Sequence, residues 1–140
     1  MKTIGFSQRI DILQDRSEIR ESLDVELIKI FSELNYSCNV ISSFNSKESL
    51  NSILKNCDFF VLTGGNDIGQ YAKRDKLEKE ILIHSKNYNK PVLGICRGMQ
   101  FMLNYEGFNL WVFWCTWNCN IKKISPKWMG DLSPITRNKL

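Results

Sequence analysis

Long apolar runs are missing from this sequence. No segment approaches the roughly 18 consecutive apolar residues that a membrane-spanning helix needs. The N-terminus passes from Lys2 into a short apolar stretch and then into charged residues, so we expect no signal peptide and no membrane association. The net charge of +4 is small and spread along the chain, which gives no support to nucleic-acid binding.

Cysteine and histidine are too few, or too irregularly spaced, for a disulfide framework or a metal site. The five cysteines are an odd number without paired spacing, which is typical of a protein from the reducing cytoplasm. Cys115 and Cys119 have no histidine or second cysteine pair nearby, so we predict neither a metal nor another cofactor. The single histidine, His84, limits the acid–base chemistry that the chain can supply.

An apolar run at residues 91–95 leads into Gly-Ile-Cys-Arg-Gly at 94–98. This pattern predicts a buried strand that turns sharply into a helix, with Cys96 at the apex. Glycine on either side of the cysteine lets neighbouring backbone approach where a Cβ would clash. The helix that follows would point its N-terminal N–H groups at the sulfur and stabilise a thiolate. The alternative, a buried structural cysteine at a strand end, is disfavoured by Gly94 and Gly98.

Four segments, taken in order, resemble one family. The elbow sequence Gly-Ile-Cys-Arg-Gly-Met-Gln at 94–100 resembles the nucleophile motif of class I glutamine amidotransferases, and within them that of the γ-glutamyl hydrolases of the peptidase C26 type. Residues 59–67 resemble the strand and loop that supply half of the family's oxyanion hole. Residues 73–78 resemble its Arg-Asp-x-x-Glu helix start, and 4–9 its first strand and loop. The match covers residues 1–105.

The resemblance implies an α/β fold with a doubly wound parallel sheet, flavodoxin-like and C-terminally incomplete. The alternation of apolar strands and amphipathic helices predicts the same architecture. Ser17 is expected to cap a first helix with an apolar stripe from Ile19 to Leu34. The other elements expected are strands at 2–7, 37–42, 58–62 and 91–95 and helices at 47–56, at 74–88 and after Cys96.

The resemblance also implies a chemistry. Cys96 would attack the γ-carbonyl of glutamine or of a γ-glutamyl compound, giving a thioester and releasing an amine. The oxyanion would be bound by the backbone N–H of Arg97 and by the loop that contains Gly64 and Gly65. Gln100 and Arg74 would bind the substrate.

Two structural alternatives stay open at this point. Residues 63–67 also fit a simple strand-ending turn, which a Gly-Asn-Asp composition favours in any protein. The side chains of Arg74, Asp75 and Glu78 also fit a solvated first helical turn with local ion pairs.

The sequence departs from the family after the elbow helix. The family's nucleophile is served by a downstream histidine, whereas His84 precedes Cys96 and is expected to lie on a helix surface. Residues 111–119 hold three tryptophans and two cysteines without a clear period. We therefore divide the chain into the N-terminal part of a glutamine amidotransferase-like domain, 1–105, and an atypical tail, 106–140, interpreted as a truncation or frameshift product.

The sequence predicts a cytoplasmic γ-glutamyl hydrolase with a cysteine nucleophile, acting on a small γ-glutamyl or glutamine substrate and weak or inactive for lack of a base. One alternative is a non-catalytic module of the same fold that binds a γ-glutamyl compound or a partner protein. Another is a thiol protein whose elbow cysteine is oxidised reversibly. Because the tail replaces the elements expected after the elbow helix, we also expect self-association through the uncovered sheet.

Overall fold

The computed structural model describes residues 1–107, and within them no helix is long and apolar enough to cross a lipid bilayer. The predictions for the tail, from residue 108 onward, lie outside the described residues. The elements are β1 (Thr3–Phe6), β2 (Arg9–Leu13), β3 (Glu18–Ser22), α1 (Val25–Glu33), β4 (Ser37–Val40), α2 (Lys47–Asn56), β5 (Phe59–Leu62), α3 (Ala72–Tyr88), β6 (Val92–Gly94) and α4 (Arg97–Tyr105).

Four strands form a parallel sheet in the order β4–β1–β5–β6. Alternate residues of β5 point to opposite faces of the sheet. On one face Val61 and Phe6 pack against α1. On the other face Phe60 and Leu62 form a core with residues of α2, α3 and α4. Helices cover both faces of a parallel sheet, so the predicted doubly wound α/β fold is confirmed.

The first predicted helix exists, but its predicted start at Ser17 is wrong. Ser17 lies in a turn with a φ of 52°, and the residues after it form β3, which pairs antiparallel with β2. Helix α1 begins only after Asp24, whose side chain accepts a hydrogen bond from the Glu26 N–H. Apolar and polar residues alternate along β2, and Ile12 lies directly opposite Ile19 across the hairpin. This cross-strand pairing outweighs the helical spacing of the same apolar residues.

Candidate functional site

Cys96 occupies the sharp turn between β6 and α4. Its φ of 51° and ψ of −108° are backbone angles that residues other than glycine rarely adopt. A Cβ at Gly94 would lie 2.6 Å from the Met99 nitrogen, and a Cβ at Gly98 would overlap the Leu62 carbonyl oxygen. Only glycine fits at these two positions, and the turn that they permit leaves Cys96 exposed.

Helix α4 begins directly after the cysteine. The N–H of Arg97 is therefore the first of the helix and has no acceptor within it. The Gly98 N–H donates to the Ile95 carbonyl oxygen over 2.9 Å, and the Gln100 N–H donates to the Cys96 carbonyl oxygen over 3.1 Å. The Arg97 N–H, next to Cys96 in the chain, is therefore not bound by its own helix, which is a requirement for an oxyanion-hole donor.

The loop after β5, residues 63–66, lies against this turn; we call it the glycine loop. A Cβ at Gly64 would lie 3.5 Å from the Cβ of Cys96. Gly65 has a φ of 83°, and a Cβ there would lie 3.0 Å from the Arg9 side chain. The structure therefore brings both predicted glycines to the carboxyl end of the sheet, with Cys96 on one side and Arg9 on the other.

The Arg74 side chain is completely buried and binds the glycine loop. Its terminal nitrogens donate to the carbonyl oxygens of Thr63 over 2.8 Å, Gly64 over 2.9 Å and Gly65 over 3.3 Å. Its Nε donates to Glu78 over 3.1 Å. The assignment of Arg74 to direct substrate binding is therefore corrected. With no accessible surface and with its donors bound to protein acceptors, Arg74 fixes the shape of the loop.

Glu78 joins the glycine loop to the elbow. Its carboxylate accepts hydrogen bonds from Arg74, from Arg97 and, over 2.9 Å, from the Ser7 hydroxyl. The Ser7 oxygen in turn accepts a hydrogen bond from the Thr63 N–H over 3.0 Å. One carboxylate therefore connects the end of β1, the glycine loop and the first residue of α4.

The alternative prediction of a solvated first turn for α3 is also wrong. The side chains of Arg74 and Glu78 have no exposed area, and that of Arg97 is 4% exposed. Asp75 pairs with Arg97 and is mostly buried. Burial lowers the pKa of the Arg74 guanidinium, and the charge of Glu78 acts in the opposite direction. These four residues form a buried cluster of two cations and two carboxylates, each cation paired with a carboxylate.

A cavity of about 430 Å³ lies beside the glycine loop. Its walls come from the loop, from the residue before Cys96, from the base of the β2–β3 hairpin and from the start of α1. The lining residues are Arg9, Ser22, Leu23, Asp24, Leu27, Thr63, Gly64, Gly65 and Ile95. The sequence analysis did not predict this wall of the cavity, because it did not predict the hairpin. The alternation of apolar and polar residues at 9–13 is the signal that indicates the first strand of the hairpin.

Asn66 attaches the hairpin to the glycine loop. Its side-chain oxygen accepts a hydrogen bond from the Ile10 N–H over 2.7 Å, and its side-chain nitrogen donates to the Ile10 carbonyl oxygen over 2.8 Å. Arg74 donates to the same side-chain oxygen over 2.9 Å. Residues 63–66 are therefore more than a strand-ending turn, because their side chains and carbonyl groups are held by three separate segments.

His84 lies far from Cys96. It follows Glu78 along α3 by six residues, which places it about 9 Å farther along the helix axis, toward the amino ends of the strands. Its ring packs edge-on against the Phe60 ring at 6.1 Å and is tilted against the Tyr88 ring at 4.5 Å. Burial lowers the pKa of His84, and the nearby charge of Lys90 lowers it further. The half-buried His84 is thus a packing residue at the end of the sheet opposite the elbow.

Comparison with known proteins agrees with this geometry. Residues 20–111 match the family model of peptidase C26. The chain is 30% identical over 98 residues to the glutamine amidotransferase-like protein YvdE homolog of Lactococcus lactis subsp. cremoris, covering 60% of this chain and 52% of that protein. It is also 30% identical over 116 residues to the gamma-glutamyl-CDP-amidate hydrolase of Campylobacter jejuni subsp. jejuni, covering 73% and 54%. The chain spans about half the length of these curated relatives. It belongs to the peptidase C26 family.

Proposed function

We propose that this chain carries the nucleophile and the oxyanion-binding groups of a hydrolase that cleaves γ-glutamyl amide bonds through a cysteine thioester. The observation that carries the proposal is Cys96, exposed in a strained turn at the N-terminus of α4 with Gly64 against it. Membership of the C26 family indicates a hydrolase-like function. The name of the Campylobacter relative supports γ-glutamyl substrates as the class.

The reaction follows from the arrangement of the elbow. The Cys96 sulfur attacks the γ-carbonyl carbon, and the electron pair of the C=O bond moves to the oxygen. The Arg97 N–H and an N–H of the Gly64–Gly65 loop bind that oxyanion. Losing one such donor costs about 3 kcal/mol of transition-state stabilisation. Collapse of the intermediate breaks the carbon–nitrogen bond, the amine leaves with a proton, and water then cleaves the thioester to glutamate and free thiol.

Gln100 is the proposed contact to the glutamyl part of the substrate. It lies one helical turn after Cys96, so the two residues share one side of α4. Its side chain is half-buried. A carboxamide both donates and accepts hydrogen bonds, which suits the ammonium and carboxylate of an amino acid.

Within residues 1–107, no histidine lies at the elbow to act as the base of this reaction. General acid–base assistance contributes roughly 10² to 10⁴ in rate, and the leaving amine needs a proton. The one histidine of the chain, His84, packs at the other end of the sheet. We therefore propose that turnover by this chain alone is slow. The same observation favours the second candidate, a module that binds γ-glutamyl compounds without turnover.

The cytoplasm is the proposed compartment. The three cysteines of the described residues, Cys38, Cys57 and Cys96, are free thiols. Free thiols are typical of proteins in a reducing compartment.

Competitive alkylation with iodoacetamide and mass-spectrometric mapping tests the nucleophile. We expect Cys96 to react at least about tenfold faster than Cys57, because Cys57 is buried and burial raises the pKa of its thiol. Cys38, which is half-buried, is the second internal reference. Labelling of Cys96 no faster than that of Cys57 in the folded chain would refute the proposal.

Ligand protection and turnover separate the two candidate functions. L-Glutamine or a γ-glutamyl amide should slow the alkylation of Cys96 in both cases. Slow hydrolysis that is lost in Cys96→Ser supports the hydrolase, whereas protection without any hydrolysis supports the binding module. Turnover at an ordinary enzymatic rate would show that the chain supplies a base other than His84.

A further inference from the structure

We propose that Arg9 binds an anionic group of the substrate in the cavity beside the glycine loop, and so selects γ-glutamyl compounds that place a carboxylate or phosphate there. The inference rests on the proposed function and adds the substrate class. A γ-glutamyl compound can present such a group from two sources. One is the α-carboxylate of the glutamyl part, and the other is an acidic group on the leaving amine.

The position of Arg9 relative to the nucleophile is the first argument. The backbone of Gly64 lies against Cys96, and the backbone of Gly65 lies against the aliphatic stem of Arg9. These two contacts are made by neighbouring residues, whose Cα atoms are about 3.8 Å apart. A substrate bound to the loop therefore has Cys96 on one side and the side chain of Arg9, which also lines the cavity, on the other.

The second argument is that the backbone of Arg9 is held in place. Arg9 is the first residue of β2 and pairs with Ser22 of β3 across the hairpin. The next residue, Ile10, is bound through both of its backbone groups to the side chain of Asn66 in the glycine loop. The hairpin therefore positions Arg9 relative to the glycines. A group positioned before binding loses less conformational entropy when the ligand arrives.

The third argument is charge. The Arg9 Nε pairs with Asp11 at 3.1 Å, but within residues 1–107 neither terminal nitrogen donates to a protein acceptor. The planar fork of a guanidinium matches the oxygens of a carboxylate or phosphate. The other charged residue in the cavity lining, Asp24, already accepts the N–H of Glu26 as the cap of α1. Asp24 repels an anion on its own side and so favours the position at Arg9.

The first experiment uses two alkylating reagents that differ in charge, applied to the full 140-residue chain. The ratio of Cys96 alkylation rates with iodoacetate and iodoacetamide reports a cation near the thiol and needs no turnover. We expect Arg9→Gln to lower this ratio by about threefold to fivefold, the range of an exposed charge pair, and to lower it less at high salt. Arg16→Gln is the matched control, because Arg16 is an exposed arginine at the hairpin turn. Arg9→Lys, which keeps the charge, should retain most of the ratio.

The second experiment identifies the source of the anion. Protection of Cys96 against iodoacetamide is compared for γ-glutamylethylamide and γ-glutamylglycine, which share the amino-acid end and differ in a carboxylate on the leaving group. If Arg9→Gln weakens protection by both compounds equally, Arg9 binds the α-carboxylate. If it weakens protection by γ-glutamylglycine alone, Arg9 binds the leaving group.

An unchanged iodoacetate-to-iodoacetamide ratio in Arg9→Gln, or an equal loss in Arg16→Gln, overturns the role of Arg9. That result leaves the proposed function standing if the two γ-glutamyl compounds still protect Cys96. Conversely, a ratio that depends on Arg9 without protection by either compound supports the anion site and contradicts the γ-glutamyl function. Near-UV circular dichroism of each variant verifies that the fold is retained.

Discussion

The carboxyl and amino ends of the parallel sheet differ in the kinds of contact that hold them together. At the carboxyl end, the elbow places Cys96 in a strained conformation above the buried cluster around Glu78. At the amino end, contacts are conventional: the Lys90 ammonium donates to three carbonyl oxygens at and after the end of α2, at 2.7 to 2.9 Å. There Asp58 also accepts the N–H of Thr3. In this comparison, the buried ion pairs and the strained backbone of Cys96 lie at the end where ligands of such sheets bind.

The difference shows what each end contributes. At the amino end, partly exposed groups form hydrogen bonds to the ends of helices and strands. Each of these hydrogen bonds contributes a modest amount to the stability of the fold. The carboxyl end fixes the orientation of two separate backbone segments beside Cys96, the glycine loop and the start of α4. This orientation depends on Glu78, because both segments are hydrogen-bonded to groups that share its carboxylate.

The largest expected effect comes from Glu78→Gln. This change leaves the buried guanidinium groups of Arg74 and Arg97 with Asp75 as their only carboxylate partner in the cluster. Removing one partner of a buried ion pair costs about 3 to 5 kcal/mol of unfolding free energy. Urea unfolding followed by far-UV circular dichroism measures this change.

Glu80→Gln is the matched control for that prediction. Glu80 lies two residues farther along α3 and is exposed. Exposed substitutions of this kind change stability by about 0.5 kcal/mol or less. Equal unfolding midpoints for the Glu78 and Glu80 variants would contradict the role of the buried cluster.

A smaller effect is expected from Gly98→Ala at the elbow. The new Cβ would overlap the Leu62 carbonyl oxygen, which belongs to backbone and cannot rotate away. We expect a loss of about 3 kcal/mol in unfolding free energy, at the upper end for overpacking. In Gly64→Ala the nearest atoms are 3.5 Å and 3.8 Å away, so its stability should change much less in the same urea assay. Similar losses in the two variants would mean that the elbow is not tightly packed.

The smallest effect concerns His84 at the amino end. Burial lowers its pKa in the folded protein, so the unfolded chain binds more protons as the pH falls. The contribution is fully present above the unfolded pKa of about 6.5 and is lost as the pH falls through the folded pKa. The urea midpoint should therefore drop slightly more between about pH 7.5 and about pH 5.5 in the parent chain than in His84→Asn. A larger drop in His84→Asn would reverse this sign and contradict the buried position of the ring.

Short-range patterns predicted most of the fold. The bounds of α2 agree with the sequence prediction because its signals are local: Ser46 caps the helix and an apolar stripe follows. The turn at Cys96 was also predictable, since glycines at 94 and 98 are read directly from the sequence. The hairpin was not, because its first strand depends on Asn66, which contacts Ile10 across 56 positions of the chain.

The sequence by itself determined which residues are the candidates for the chemistry: a cysteine between glycines, a pair of glycines after a strand, and a charged helix start. Only the tertiary structure decided what the charged residues do. Arg74 reads as a substrate contact in the sequence, and it becomes a buried support of the glycine loop once α3 packs beneath that loop. Arg9 likewise lies beside the glycine loop only because the β2–β3 hairpin folds against that loop. The physical reason is that the long side chain of an arginine can bind water, a substrate or protein groups. Which of these it binds depends on the segments that fold against it.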